Sequence, residues 1–95
     1  MLELKIENSF KKDFKLAIKQ NLIDAEVEKT LNDVIETLRI PALLEKEYRN
    51  HALSGDYKNY FDCHIKSDLV LVYRVYNNVL HLVRFGKHTT IFKKY

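Results

Sequence analysis

The chain opens on a strict alternation. Leu2, Leu4 and Ile6 are apolar while Glu3, Lys5 and Glu7 are charged, which predicts a short strand with one buried face. Asn8 or Ser9 then offers a side-chain oxygen as an N-cap. Phe10, Phe14, Ala17 and Ile18 follow at helical spacing, and Lys11, Lys12, Lys15 and Lys19 fall mostly on the remaining surface. A second helix starts after Asp24, with Glu26 and Glu28 in its first turn, where the helix dipole favours anions. Val27, Leu31, Val34, Ile35 and Leu38 form its apolar stripe, and Pro41 closes it. Two helices separated by so few residues predict an antiparallel hairpin.

Residues 41–58 carry no clean period and read as a loop, with room for one helical turn around Leu43 to Tyr48. From Asn59 the period is two. Asn59–Ile65, Asp68–Tyr76 and Val79–Phe85 read as strands, β-branched or aromatic along much of their length. Asn77-Asn78 suits a two-residue hairpin turn because Asn tolerates positive φ; Lys66-Ser67 is assigned the other turn. The order is β-α-α-β-β-β, an α+β fold in a single domain over residues 1–95, with no repeat or linker.

Two-residue turns fix a register by counting. Ile65 then faces Asp68, His64 faces Leu69, Tyr76 faces Val79 and Leu69 faces Gly86. One side of the meander shows Phe61, Cys63, Val70, Val72, Val83 and Phe85, and this apolar side should receive the helices. The other shows Tyr60, Asp62, His64, Tyr73 and Arg84, diluted by Leu71 and Leu82. His64 shares a row with Gly86 and Asp62 with Arg84, and His88 lies just past that row. His64, Arg84 and His88 are thus expected on one exposed face, although a slip of one residue would turn the set over.

Composition narrows the class. With 95 residues, two Gly and one Pro, the chain is one domain of regular elements on short connections. The net charge of +3 and pI near 9.0 permit an RNA or acidic-protein partner without demanding one. No apolar run approaches the length of a membrane span, the N-terminus has no signal-peptide pattern, and the single Cys63 fits a reducing compartment. The expected location is the cytoplasm, away from membranes.

The candidate chemistry lies in the last 45 residues, where His51, His64 and His88 each sit in a polar cassette. Imidazole both takes and gives a proton near neutral pH, so several of them beside an Arg suggest acid–base chemistry on an anion. His81, on the packed side or near the sheet edge, reads as structural, and Cys63 as a small core residue. The absence of any C-x-x-C or H-x-x-x-H pair argues against a zinc site, so no metal and no cofactor are assigned.

The cassettes run His51-x-Leu53-x-Gly55-x-Tyr57-Lys58, Asp62-x-His64-x-x-x-Asp68, Leu71-Val-Tyr73, and Arg84-x-Gly86-x-His88-x-x-x-Phe92. In this order and spacing the chain resembles the RelE/ParE superfamily of bacterial toxins, specifically its YafQ-like mRNA interferases, nearly end to end. The resemblance implies a RelE-like fold, a small and mostly antiparallel sheet with the helical hairpin on one face. It also implies a type II toxin that cleaves mRNA in the ribosomal A site and is silenced by a cognate antitoxin protein. It carries activity to His51, His64, Asp68, His88 and Phe92, adds Arg84 as a further active-site position, and suggests Lys58 and Phe92 as contacts to substrate. Two departures stand out: Ala52 replaces the Pro usual in these toxins, and Phe61 replaces a common Arg.

Such a site cuts RNA when the 2′-hydroxyl attacks the adjacent phosphorus, leaving a 2′,3′-cyclic phosphate and a 5′-hydroxyl. His51 or His64 would serve as base, Asp68 would orient or charge its partner, and His88 would be the acid. Arg84 would face the developing phosphorane charge. Phe92 would stack on a base or brace the C-terminal segment. Two alternatives remain at this level: a non-catalytic, ParE-like protein-binding toxin, and a ribonuclease that needs no ribosome.

Overall fold

The computed structural model describes residues 1–40, the backbone of 51–52, and residues 60–92. The expected closure at Pro41, the helical turn within 43–48, the strand start at Asn59 and Lys58 lie outside the described residues. Eight elements follow in order: β1 Glu3–Ile6, α1 Asn8–Lys19, α2 Ala25–Leu38, β2 His51–Ala52, β3 Phe61–Lys66, β4 Leu69–Tyr76, β5 Val79–Lys87 and α3 His88–Ile91. The strands form one sheet in the order β1-β5-β4-β3-β2. Among these pairings β1–β5 is parallel and the rest are antiparallel. The α+β reading and the mostly antiparallel sheet hold.

Local signals explain most boundaries. Asp24 caps α2, its carboxylate accepting the Val27 N–H at 2.8 Å. Asn77 and Asn78 take φ of 50° and 62°, the left-handed pair that matches a tight turn to strand twist. The cap of α1 differs from expectation. Glu7 is the N-cap residue and makes no side-chain cap bond, while the Ser9 hydroxyl donates across to the Val83 carbonyl at 2.5 Å. Ile18 also departs: it is 54% exposed, and Phe10 and Ala17 supply the buried positions of α1.

The register corrects the predicted faces. The β3–β4 turn is Ser67-Asp68 and not Lys66-Ser67, and pairing shifts by one residue between His64 and Lys66. A second shift, between Val72 and Tyr73, inserts Val83 as an extra residue in β5. His64 therefore faces Val70, which faces Gly86; Asp62 faces Val72, which faces Arg84. The two errors cancel across β4. Both expected rows survive, but β4 itself is turned over.

As a result Leu71, Tyr73 and Leu82, expected on the open face, are core residues. Val70 and Val72, expected under the helices, lie in a second cluster with Ile91 and Phe92. Phe61, Cys63 and Phe85 keep their predicted side, whereas Val83 joins the second cluster. The main core unites Phe10, Ala17, Val27, Leu31, Val34 and Leu38 from the helices with Cys63, Ile65, Leu69, Leu80 and Phe85 from the sheet. Phe10 and Phe14 stack on each other and meet Phe85 at a tilt, all at centroid distances of 5.7–5.8 Å, where α1 crosses β5.

The two registers give different mutational outcomes. Leu71→Ala is expected to cost about 2–5 kcal/mol in urea unfolding, as for a closed core site. A cost below about 0.5 kcal/mol, typical of a surface change, would restore the register counted from two-residue turns.

Candidate active site

Three connections bring the candidate residues together. β3 carries His64 two residues beyond Asp62, so both side chains project from the face opposite α1 and α2. The β3–β4 turn carries Asp68. At the end of β5, α3 starts at His88, whose N–H donates to the Asp68 carbonyl at 2.9 Å. That main-chain bond fastens α3 to the turn. Phe92 N–H then donates to the His88 carbonyl at 2.9 Å, closing the short helical turn.

The imidazoles of His64 and His88 are nearly parallel, with ring centroids 6.4 Å apart and planes 8° from each other. His64 is half-buried and His88 exposed. Phe92 backs the pair, its ring 4.7 Å from that of His88 and tilted by 53°. Phe92 is itself buried with Ile91 against Val70 and Val72. This contact favours the bracing role foreseen for it over an open stacking platform. The hydrophobic cluster on the second face thus holds one imidazole at a fixed distance from the other.

His51 lies in β2, paired with Asp62, so its backbone shares a row with Asp62, Val72 and Arg84. Its side chain, like Lys58, lies outside the described residues. Asp68 meets His88 through its carbonyl and not its carboxylate, which sits in an exposed turn. A cleft of about 260 Å³ opens there, lined by Asn21, Asp24, Lys66, Ser67, Asp68 and Lys87 among others. Lys66 and Lys87 are both exposed, and Lys66 Nζ lies 3.8 Å from Asp24 Oδ2, so this cleft faces the α1–α2 connection.

Arg84 does not stand free over the imidazoles. Its Nε donates to Asp13 Oδ2 at 2.6 Å and its Nη2 to Asp13 Oδ1 at 3.2 Å, a two-point pair between β5 and α1. Asp13 Oδ2 also accepts the Phe85 N–H at 2.9 Å. The sequence held a signal for this residue. Asp13 is the only acid within α1 and lies between Phe10, Phe14 and Ala17, on the stripe that packs against the sheet. Asp62 was also left out of the candidate set, yet it is only 3% exposed and the one buried charged side chain among the described residues. Its spacing of two from His64 on a strand is the signal that could have found it.

Gly86 explains how the chain gets from Arg84 to His88. Its φ is +154°, a conformation strained for L side chains, while a Cβ there would meet Ile91 only at ordinary contact distances of 3.8 and 3.9 Å. The backbone, not lack of space, requires glycine. His81 Nδ1 lies 3.6 Å from Glu7 Oε2 at the β1–β5 seam, away from the site, in keeping with its structural reading.

Comparisons with known proteins bear on the family and the fold. Residues 2–93 match the family model described as bacterial toxin of type II toxin-antitoxin system, YafQ. The mRNA interferase toxin YafQ of Escherichia coli K12 is 33% identical over 97% of this chain and 99% of its own length. A copper-bound mutant toxin from Helicobacter pylori superposes with a TM-score of 0.83 at 42% identity, covering 97% of this chain and 100% of that one. The E. coli DinJ-YafQ complex gives a TM-score of 0.76 at 29% identity, covering 97% and 99% of the two chains.

The lone thiol offers a check on the site's packed side. Cys63 is fully buried, and burial, with a smaller contribution from the Asp62 charge, pushes its pKa from 9.0 up to about 12. At pH 9 an ordinary thiol is half ionised, whereas Cys63 in the folded protein should resist iodoacetamide by at least about 10²-fold relative to the urea-unfolded chain. The raised value also means that stability is full below pH 9 and declines as pH rises from 9 towards 12, because the unfolded chain gives up that proton first. Rapid native-state alkylation at pH 9 would contradict the buried placement.

Proposed function

Because the chain belongs to the YafQ family of toxins from bacterial type II toxin–antitoxin systems, we propose that it is an mRNA interferase, a ribosome-dependent endoribonuclease held inactive by an antitoxin protein. The observation that carries this reading is the parallel His64–His88 pair backed by Phe92 at the exposed end of the sheet. The YafQ toxin of E. coli is solved in complex with DinJ and is named an mRNA interferase, which supports partners of the same kinds here.

In the proposed reaction the RNA supplies its own nucleophile. His64, or His51 from the adjacent β2, takes the proton of the 2′-hydroxyl; the 2′-oxygen bonds to phosphorus as the bond to the 5′-oxygen breaks. His88 gives that departing oxygen its proton. The exposure of His88 suits the acid, which must meet the leaving strand, and the half-buried His64 suits a base held beside Asp62. The exposed Lys87, next to His88, offers a cation to the RNA phosphates, a contact that does not read sequence. Asp68 fixes the height of His88 by accepting its N–H. One H. pylori relative is copper-bound; among the described residues no three His, Cys, Asp or Glu side chains gather as a ligand set.

Two outcomes test this reading. The cut ends are expected to be a 2′,3′-cyclic (or 3′-) phosphate and a 5′-hydroxyl; 5′-phosphate ends would sink the mechanism, since they require an activated water. His88→Ala is expected to slow single-turnover cleavage of ribosome-bound mRNA by about 10²–10⁴-fold with the thermal midpoint retained. A variant that melts early yet cuts at the wild-type rate when folded would remove His88 from the chemistry.

A further inference from the structure

The Asp13–Arg84 pair is more than a tie between helix and sheet. Arg84 stands on the row of His51 and Asp62, immediately before the Gly86-Lys87-His88 segment that ends in the acid. Asp13 binds this point twice, through the guanidinium and through the Phe85 N–H. The extra residue at Val83 lies just upstream, so Phe85 resumes the core side only after an irregular step, and Asp13 holds the strand at that step. Both members are largely shielded, with side-chain exposures of 15% for Asp13 and 29% for Arg84, so the geometry is defined and not averaged over solvent. An arginine paired at two points to a carboxylate has committed that edge of its fork and cannot also offer it to a phosphate.

We propose that Asp13 is a positioning residue of the active site: by pairing with Arg84 it sets the end of β5 and so the placement of His88 opposite His64. This rests on the ribonuclease reading above and adds to it a residue from α1, an element that carries none of the imidazoles. Where the sequence suggests an Arg84 facing the phosphorane directly, this reading gives it the part of receiving Asp13.

Coupling separates this role from simple support. Asp13→Asn keeps the shape and one acceptor but loses the charge and the second strong acceptor. In single-turnover cleavage it is expected to lower the rate on the order of 10²-fold, the usual scale for a displacement of about 1 Å at a reacting group, with ribosome binding unchanged. Arg84→Ala should lower it comparably, and the double variant Asp13→Asn/Arg84→Ala should be no slower than Arg84→Ala alone. The His64 and His88 imidazole resonances should move in Asp13→Asn. Should Asp13→Asn fail to fold, Arg84→Lys, which leaves the Phe85 N–H bond in place, is expected to fold and show the same loss.

Three results would overturn the proposal. One is a folded Asp13→Asn protein that cuts at the wild-type rate. Another is additive losses in the double variant. The third is a faster rate on removing Asp13, which would mean that the carboxylate restrains a catalytic Arg84. Failure of the ribonuclease reading itself looks different, because then the wild-type protein would not cleave ribosome-bound mRNA at all.

Discussion

Everything in this domain hangs on β4 being buried from both sides. Val70, Leu71 and Val72 are fully buried in succession, which an alternating strand with one wet face never shows. Leu71 and Tyr73 take the weight of α1 and α2, while Val70 and Val72 take Ile91 and Phe92 from the C-terminal turn. A strand packed on both faces has one register, since a slip of one residue would exchange two well-filled sets of contacts. The candidate site inherits its geometry from that constraint. His64 is paired to β4 directly, and His88 is carried by the segment whose apolar residues rest on it.

This arrangement divides labour between rigidity and access. The proposed acid–base groups need solvent and substrate, so they lie at the exposed end of the sheet, yet their separation must not drift. A four-residue helix has little stability of its own. Here α3 is held by the His88–Asp68 main-chain bond, by the burial of Ile91 and Phe92, and by the unusual backbone of Gly86. The same short segment therefore supplies a hydrophobic foot on β4 and an imidazole above it, with Phe92 touching both.

Charge is allotted with similar economy. The lone acid of α1 is placed among lysines, on the stripe facing the sheet, where it meets Arg84. A pair so shielded contributes geometry more than net field, because its charges cancel at any distance larger than their own separation. Positive charge beside His88 comes from the exposed Lys87, whereas Lys66 lies at the α1–α2 connection with its Nζ 3.8 Å from Asp24 Oδ2. His81 and Glu7 form a separate contact at the β1–β5 seam and leave the site alone.

The linear pattern alone determined β1, the two long helices and the three long strands in their order, the Asp24 cap and the Asn77-Asn78 turn, because each follows from periodicity or local backbone preference; the short β2 and α3 it did not show. The ordered cassettes likewise pointed to the family that the full-length matches established. What counting by twos could not announce were the two register shifts: in β5 the core side passes from Leu82 to Phe85 across the extra Val83, a spacing of three. Those shifts turned β4 over while preserving the rows that join His64 to Gly86 and Asp62 to Arg84. Nor could it announce that Phe92 would be buried, or that Arg84 would be claimed by Asp13. These depend on residues far apart in the chain meeting in space, 71 positions apart for Asp13 and Arg84, and only the packing of α1 and α3 on opposite faces of one sheet brings them together.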